Sequence, residues 1–352
     1  TIQNSNGGVI CSGDPTISYL RVKDHVGRGI SFSSAVASLS HVEVISNTYS
    51  SNGSGIYVTS STLNLLDVTA NRNRSTGGAG GGFYIHSSTV TIDSSTISNN
   101  FSYSYGGGLA IYSNSDITIS NTSITSDTTD NNQGGGIYIE GGELRLHNVQ
   151  VDSNEAKDYG GGIYVSGADT LIATNTTFNH NTTIDNSSRG GGVHLNGSST
   201  DQLITFDQCR IQYNRTGYYG GGVYIYLYAP VFTNVLITDN VLVNNTSTNR
   251  YGGGIYDISG SSYIPEFTNV TIANNDAYYG GGYYGSNGNG QFTNCITYHN
   301  TATSNLSLSG AGSVTYSDIE GSFSGTGNID SDPMFTDLYG GDYTLSDYSP
   351  AI

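Results

Sequence analysis

The chain has 352 residues, with 11 Lys plus Arg against 28 Asp plus Glu, giving a formal charge of −17. That balance excludes a nucleic-acid binder, whose phosphate contacts need a basic patch, and argues against docking on an anionic membrane surface. Three cysteines, Cys11, Cys209 and Cys295, make no disulfide framework, and no apolar run approaches the length of a membrane span.

A glycine repeat organises the chain from its first residues. Gly7-Gly8-Val9-Ile10 is the first copy, and Gly27-Arg28-Gly29-Ile30 and Gly53-Ser54-Gly55-Ile56 are degenerate ones. Intact triplets then begin at Gly80, Gly106, Gly134, Gly160, Gly190, Gly220, Gly252 and Gly280, at intervals of 26 to 32 residues. Gly310-Ala311-Gly312 continues the series. A period of this length marks a solenoid. It gives about twelve coils and overrides the two or three domains that length alone suggests.

One coil shows the grammar. Gly134-Gly135-Gly136 leads into Ile137-Tyr138-Ile139, then a turn at Gly141-Gly142, then Leu144 to Val151, then Asp152-Ser153-Asn154. Apolar residues alternate with polar ones, which is the strand period, and no segment sustains a 3.6-residue period. The expected fold is one all-β, right-handed parallel β-helix over residues 1–352, with about three strands per coil and 318–352 as a closing module. The handedness follows from the general chirality rule for crossovers.

Two asparagine columns accompany the glycines. Aligning coils on Val-x-x-Asn gives Asn47, Asn71, Asn100, Asp127, Asn154, Asn181, Asn214, Asn240, Asn275 and Asn300. Six residues upstream lies a second column: Asn121, Asn148, Asn175, Gln208, Asn234, Asn269 and Asn294. Amides in register can bond copies of themselves in neighbouring coils, and Asn tolerates the bent backbone of a corner. Both columns are therefore expected as structural ladders, and the triplets as close-approach turns with no phosphate-binding role.

The chain carries 28 Tyr and no Trp. Tyr57, Tyr84, Tyr138, Tyr164, Tyr224, Tyr256 and Tyr284 each follow a glycine group in an apolar-Tyr-apolar pattern, with Ala110 and His194 in the gaps. If the flanking aliphatics point inward, these tyrosines form an outward strip, the best candidate for docking sugar rings or a protein surface. Tyr105, Tyr159, Tyr219, Tyr251 and Tyr279 sit just before the triplets, along the same edge.

Catalytic patterns are sparse. The chain has no Asp-Asp pair and no Gly-His-Gly, and Arg210-Ile211-Gln212 reads as a core strand. Lys23 and Lys157 are the only lysines, Arg72 and Arg74 form the densest basic spot, and Asp24-His25 stands alone. Hydrolysis of a glycosidic bond would need two carboxylates at catalytic separation. Acidic residues gather at 318–347, where Asp330 and Asp332 are candidate calcium ligands. No other cofactor is expected. Sequons at Asn52, Asn73, Asn186, Asn196, Asn244, Asn245 and Asn305 mark candidate glycosylation sites.

Gly-Gly-Gly-Ile together with Phe178-Asn179-His180-Asn181 resembles the Gly-Gly-Ala-Ile and Phe-x-x-Asn repeats of polymorphic outer-membrane proteins, which are surface adhesins. Gly327 to Phe335, Gly341-Asp342-Tyr343-Thr344-Leu345 and Ser349-Pro350-Ala351-Ile352 look like the closing module of secreted bacterial right-handed β-helix repeat proteins. The resemblance implies a secreted or cell-surface setting and carries over no catalytic residue. Thr1 in place of Met reads as a processed or trimmed chain. The expected role is a non-enzymatic structural or adhesive protein. Its partners would be itself, by end-to-end or lateral assembly into a filament or surface layer, or surface glycans and proteins. The alternative is a polysaccharide-binding or polysaccharide-degrading protein.

Overall fold

A computed structural model describes residues 1–243, 250–287, 289–304 and 307–352. The chain winds as a right-handed parallel β-solenoid. Each coil contributes four short strands. In the coil already quoted they are Ile137–Glu140, Glu143–His147, Gln150–Asp152 and Glu155–Ala156. Every one pairs in parallel with its equivalent in the next coil, Ile137 with Ile163 and Leu144 with Leu171. Ten coils contribute a strand to the last of these stacks, from Thr48–Tyr49 to Thr301–Ser304, so about ten turns are complete. The outer coils lack that strand, which separates this count from the twelve glycine copies.

The expected Leu144–Val151 strand is two strands, bent at Asn148, whose φ is 53°. The bend falls on the second asparagine column in every coil that carries one, from Asn121 (φ 48°) to Asn294 (φ 55°). A left-handed residue turns the chain through a corner in one step, and Asn adopts that conformation at low cost. The side chains then bond back to the preceding coil: Asn148 Nδ2 donates to Asn121 Oδ1 at 2.8 Å, and Asn294 Nδ2 to Asn269 Oδ1 at 2.6 Å. This ladder is exposed.

The interior is filled by the alternating aliphatics. Ile137, Ile139, Leu144 and Val151 are fully buried, and Phe206, Phe232, Phe267 and Phe292 stack with ring centroids 4.4 to 5.1 Å apart. The glycines make the coils fit. Gly134 has φ of +70°, and a Cβ on Gly135 would lie 2.5 Å from the Gly161 carbonyl oxygen. A Cβ on Gly136 would lie 2.8 Å from Asn154 Nδ2. The triplet and the buried ladder are thus one device, since the third glycine makes room for the ladder amide.

That buried ladder runs Asn47, Asn73, Asn100, Asp127, Asn154, Asn181, Asn214, Asn240, Asn275 and Asn300. Each backbone N–H donates to the side-chain oxygen of the next rung at 2.7 to 3.1 Å. One rung corrects the expectation. Asn71 is not a member. The strand register sets Ala70, rather than Val68, opposite Val44 and Ile97, so the rung is Asn73. Asn71 instead sits half-buried in the strand and donates to Ser98 Oγ. His25 lies beneath Asn47 as a further step: its backbone N–H donates to Asn47 Oδ1, and its Nδ1 accepts from the Ser5 backbone at 3.2 Å.

Beyond the last coils, Phe335–Asp337 and Asp342–Leu345 form an antiparallel pair that folds back against the flank. Tyr343 pins it, donating its hydroxyl to Asp239 Oδ2 at 2.7 Å, and Phe335 packs edge-on against Tyr343.

Candidate functional site

The tyrosine column stands on the strands that follow the triplets. Tyr57, Tyr84, Tyr138 and Tyr164 point away from the core because Ile56, Val58, Ile137 and Ile139 point into it. Parallel pairing in register stacks each ring on the next: Tyr57 on Tyr84 at 5.2 Å, Tyr138 on Tyr164 at 5.5 Å, Tyr256 on Tyr284 at 5.8 Å. The two gaps are filled. Tyr112 lies over Ala110 and touches Tyr84 and Tyr138 at 5.3 and 5.4 Å. His194 sits between Tyr164 and Tyr224 at 4.9 and 4.4 Å.

The expectation of an exposed docking strip is corrected here. Tyr138, Tyr164, Tyr224 and Tyr256 are only 4 to 7% exposed, and Tyr57, Tyr84 and Tyr284 are half-buried. A second row covers them. Tyr105 stacks on Tyr138 at 4.6 Å, Tyr219 on Tyr256 at 4.6 Å, and Tyr251 on Tyr284 at 4.6 Å. Arg28 caps Tyr57, with its guanidinium carbon 3.4 Å from the ring centroid, and Arg189 donates to the Tyr224 hydroxyl at 3.1 Å. From Tyr138 to Tyr256 the column is a sealed seam, half-open at its two ends. Each ring pair adds about 0.5–1.5 kcal/mol beyond burial, so the seam stabilises one flank along most of the rod. The covering tyrosines were visible in the sequence, but nothing there fixed which row lay outside.

Burial pushes the Tyr138 and Tyr164 hydroxyls well up from the ordinary phenol range. They are neutral, with Tyr138 donating to Glu140 Oε2 at 2.9 Å and Tyr164 accepting from Asn196 Nδ2 at 3.1 Å. Burial also pushes His194 down to about 3, and its Nδ1–H donates to the Arg189 carbonyl at 3.4 Å. A neutral buried His makes the fold acid-sensitive. Below the unfolded value of about 6.5 the unfolded chain gains a proton that the folded chain refuses. Stability is then lost as pH falls from there toward 3, at roughly 1.4 kcal/mol per unit. His194→Tyr, which restores the column residue, should flatten this loss; equal acid sensitivity of the two proteins in urea melts would refute the assignment.

Beside the seam the corner turns shrink. Gly141 and Gly167 carry no side chain between Asn114 on one side and Ser198 on the other, leaving a polar notch of about 540 Å³. Ser113, Glu140, Ser166 and Asn196 also line it, so hydroxyls, amides and one carboxylate converge on open space. This notch is the feature that the sequence reading missed. The shortened turns were legible, but their alignment across coils was not.

Other candidates resolve into structural roles. Arg74 lies over Phe101 at 3.7 Å, Gln212 donates to Thr238 Oγ1, and His25 extends the ladder. Asp330 accepts from Ser322 Oγ at 2.8 Å, and Asp332 accepts from the Met334 backbone while facing His299 at 3.9 Å. Among the described residues no three His, Cys, Asp or Glu side chains group as a metal site, so Asp330 and Asp332 gain no third partner of that kind. All three cysteines are free and buried, and burial pushes Cys209 up to about 12 and Cys295 to about 11. Of the sequons, Asn73 is fully buried in the ladder, which is incompatible with a glycan, and Asn52 accepts from the Ala79 backbone. Asn186 is exposed, and Asn196 is tied to Tyr164. Asn244, Asn245 and Asn305 lie outside the described residues.

The family model for the right-handed β-helix region matches residues 81–265, more than half of the chain. The chain belongs to that family. Its matched span begins inside the first intact triplet and covers the best-formed part of both the seam and the buried ladder, together with the whole notch. Neither the curated proteins nor the solved structures contained a match.

Proposed function

We propose that this chain is a non-enzymatic structural or adhesive β-helix, secreted or displayed at a cell surface, that works by presenting its flanks to a partner. The observation that carries the reading is where the charged side chains are spent. Arg145 is held between Asp116 and Glu143, Arg21 by Glu43, and Arg28 and Arg189 by the tyrosine seam. Asp257 is buried against the Tyr283 hydroxyl at 2.8 Å, and Asp127 is inside the ladder. Acid–base chemistry on a polysaccharide needs an accessible pair of titrating groups facing one bond. These groups are committed to holding coils together.

The notch favours glycan as the partner class. Convergent hydroxyls and amides on an open polar surface suit a sugar better than an apolar protein patch. The test is co-sedimentation with insoluble polysaccharides and whole cell-wall material, run beside an assay for newly formed chain ends and electron microscopy of the concentrated protein. Binding or ordered assembly without new ends is the expected result. Release of reducing or unsaturated ends would overturn the non-enzymatic reading.

A further inference from the structure

One wall of the notch is held in place by the seam. Glu140, Ser166 and Asn196 are neighbours in register on three successive coils. Each lies two residues past a seam position, Tyr138, Tyr164 and His194, and so shares its outward face. The seam anchors two of the three. Tyr138 donates its hydroxyl to Glu140 Oε2 at 2.9 Å, and Asn196 Nδ2 donates to the Tyr164 hydroxyl at 3.1 Å. Each side chain is fixed at one polar atom and offers the other, since among the described residues nothing donates to Glu140 Oε1 or Asn196 Oδ1. Glu140 is exposed and lines the open space that Gly141 and Gly167 leave free.

The atoms on offer are acceptors. A carboxylate oxygen and an amide oxygen take hydrogen bonds and give none, and Ser166 Oγ takes one more. Glu140 carries the only charge among the residues that line the notch. The whole chain stands at −17, so its field draws cations and repels a uronate. An ammonium answers these acceptors better than a hydroxyl does, because it brings three N–H donors and the charge opposite to that of Glu140. The wall ends in an aromatic ring. Tyr226 follows Asn196 in register, is 39% exposed, and among the described residues carries no stacked ring. Tyr112, at the other end, is taken up by Tyr84 and Tyr138. A free aromatic face beside polar acceptors suits a pyranose ring. Glu140 and Tyr226 stand three strand spacings apart, about 14 Å, so a short oligosaccharide rather than one sugar reaches both.

We propose that the notch binds an oligosaccharide with free amino groups, one ammonium meeting Glu140 and Asn196 and a further ring lying on Tyr226. This rests on the glycan reading of the notch and narrows it to amino sugars. The test is an NMR titration of the whole protein with the β-1,4-linked glucosamine trisaccharide, with its N-acetylated form and trigalacturonate as parallel probes. The expected result is saturable binding of the amino form, with shifts at Gly141, Gly167 and Asn196, and binding of the other two weaker by about tenfold or more. Glu140→Gln keeps an acceptor for Tyr138 and should remove the advantage of the amino form over the N-acetylated one. Tyr226→Ala keeps the charge and should weaken the amino form several-fold. Both side chains are exposed, so neither change threatens the fold. Equal or tighter binding of either other sugar at the notch, or an amino-form affinity unchanged in either variant, would overturn this inference and leave the glycan reading standing. No shift at the notch with any of the three sugars would overturn both.

Discussion

Asp127→Asn should make the protein more stable at neutral pH, by about 1.4 kcal/mol for each pH unit between the unfolded carboxyl's titration and the folded one's. Nine of the ten rungs of the buried ladder are Asn, and Asp127 is the exception. Its Oδ1 behaves like any rung oxygen, accepting from the Asn100 backbone at 2.7 Å and from Asn100 Nδ2 at 3.0 Å. Its Oδ2 lies under Gly108, in the place that Asn154 Nδ2 takes under Gly136. At the other rungs from Asn47 to Asn275 an N–H donates to the next rung and to a strand carbonyl, as Asn154 does to Asn181 Oδ1 and the Ile124 oxygen. Asp127 offers an oxygen there, and that oxygen has no partner. Burial pushes the carboxyl well above the usual range, so in the folded chain it keeps a proton. In the unfolded chain it ionises near 4. Stability is therefore lost as pH rises from about 4 toward the folded value, and an amide has no such loss. Urea midpoints at pH 7 and pH 3.5 check this. The gap between variant and wild type should be wide at the first and narrow at the second. A gap of the same size at both would assign it to packing and sink the protonation argument.

The ladder illustrates what sequence could and could not deliver. Glycine triplets, alternating aliphatics and asparagine columns recur at one period, so the solenoid was legible, because each of these features is demanded by local backbone geometry. Asn71 was misplaced because Val68 and Ala70 both fit a core position, and only pairing with Val44 and Ile97 decides between them. The tyrosines failed for a related reason. Strand alternation put Tyr138 and Tyr164 outside the core, which is where they lie, yet outside the core is not the same as in solvent. Tyr105 and Tyr159 fold over them from the loops before the triplets, and although that row recurs with the period, the period does not say that it folds inward over the first. The notch depends on turns from four successive coils meeting in register, and no local pattern announces it.

Gly161→Ala should be among the most damaging single substitutions in the chain, costing about 3 kcal/mol or more. The reason is space. A Cβ at Gly161 would lie 2.5 Å from the Gly191 oxygen and 2.6 and 2.7 Å from the Thr182 backbone oxygen and nitrogen. All three are main-chain atoms pinned by coil-to-coil bonds, since Thr182 N donates to the Asn154 oxygen at 2.9 Å and Gly162 N to the Gly191 oxygen at 3.2 Å. None can rotate away, so two coils must part, and with them the buried ladder between Asn181 and Asn214. Gly167 supplies the contrast. Its φ is +57°, and a Cβ there would meet only Ser198 Oγ at 3.7 Å. That site asks for a left-handed residue and leaves room for one, so Gly167→Asn should cost less than about 1 kcal/mol. Gly161→Asn should be as harmful as Gly161→Ala, because its backbone conformation is not the issue. Thermal melts of the three variants separate the two demands. If Gly161→Ala melts within a few degrees of wild type, the coils are not in the close contact on which the triplet depends.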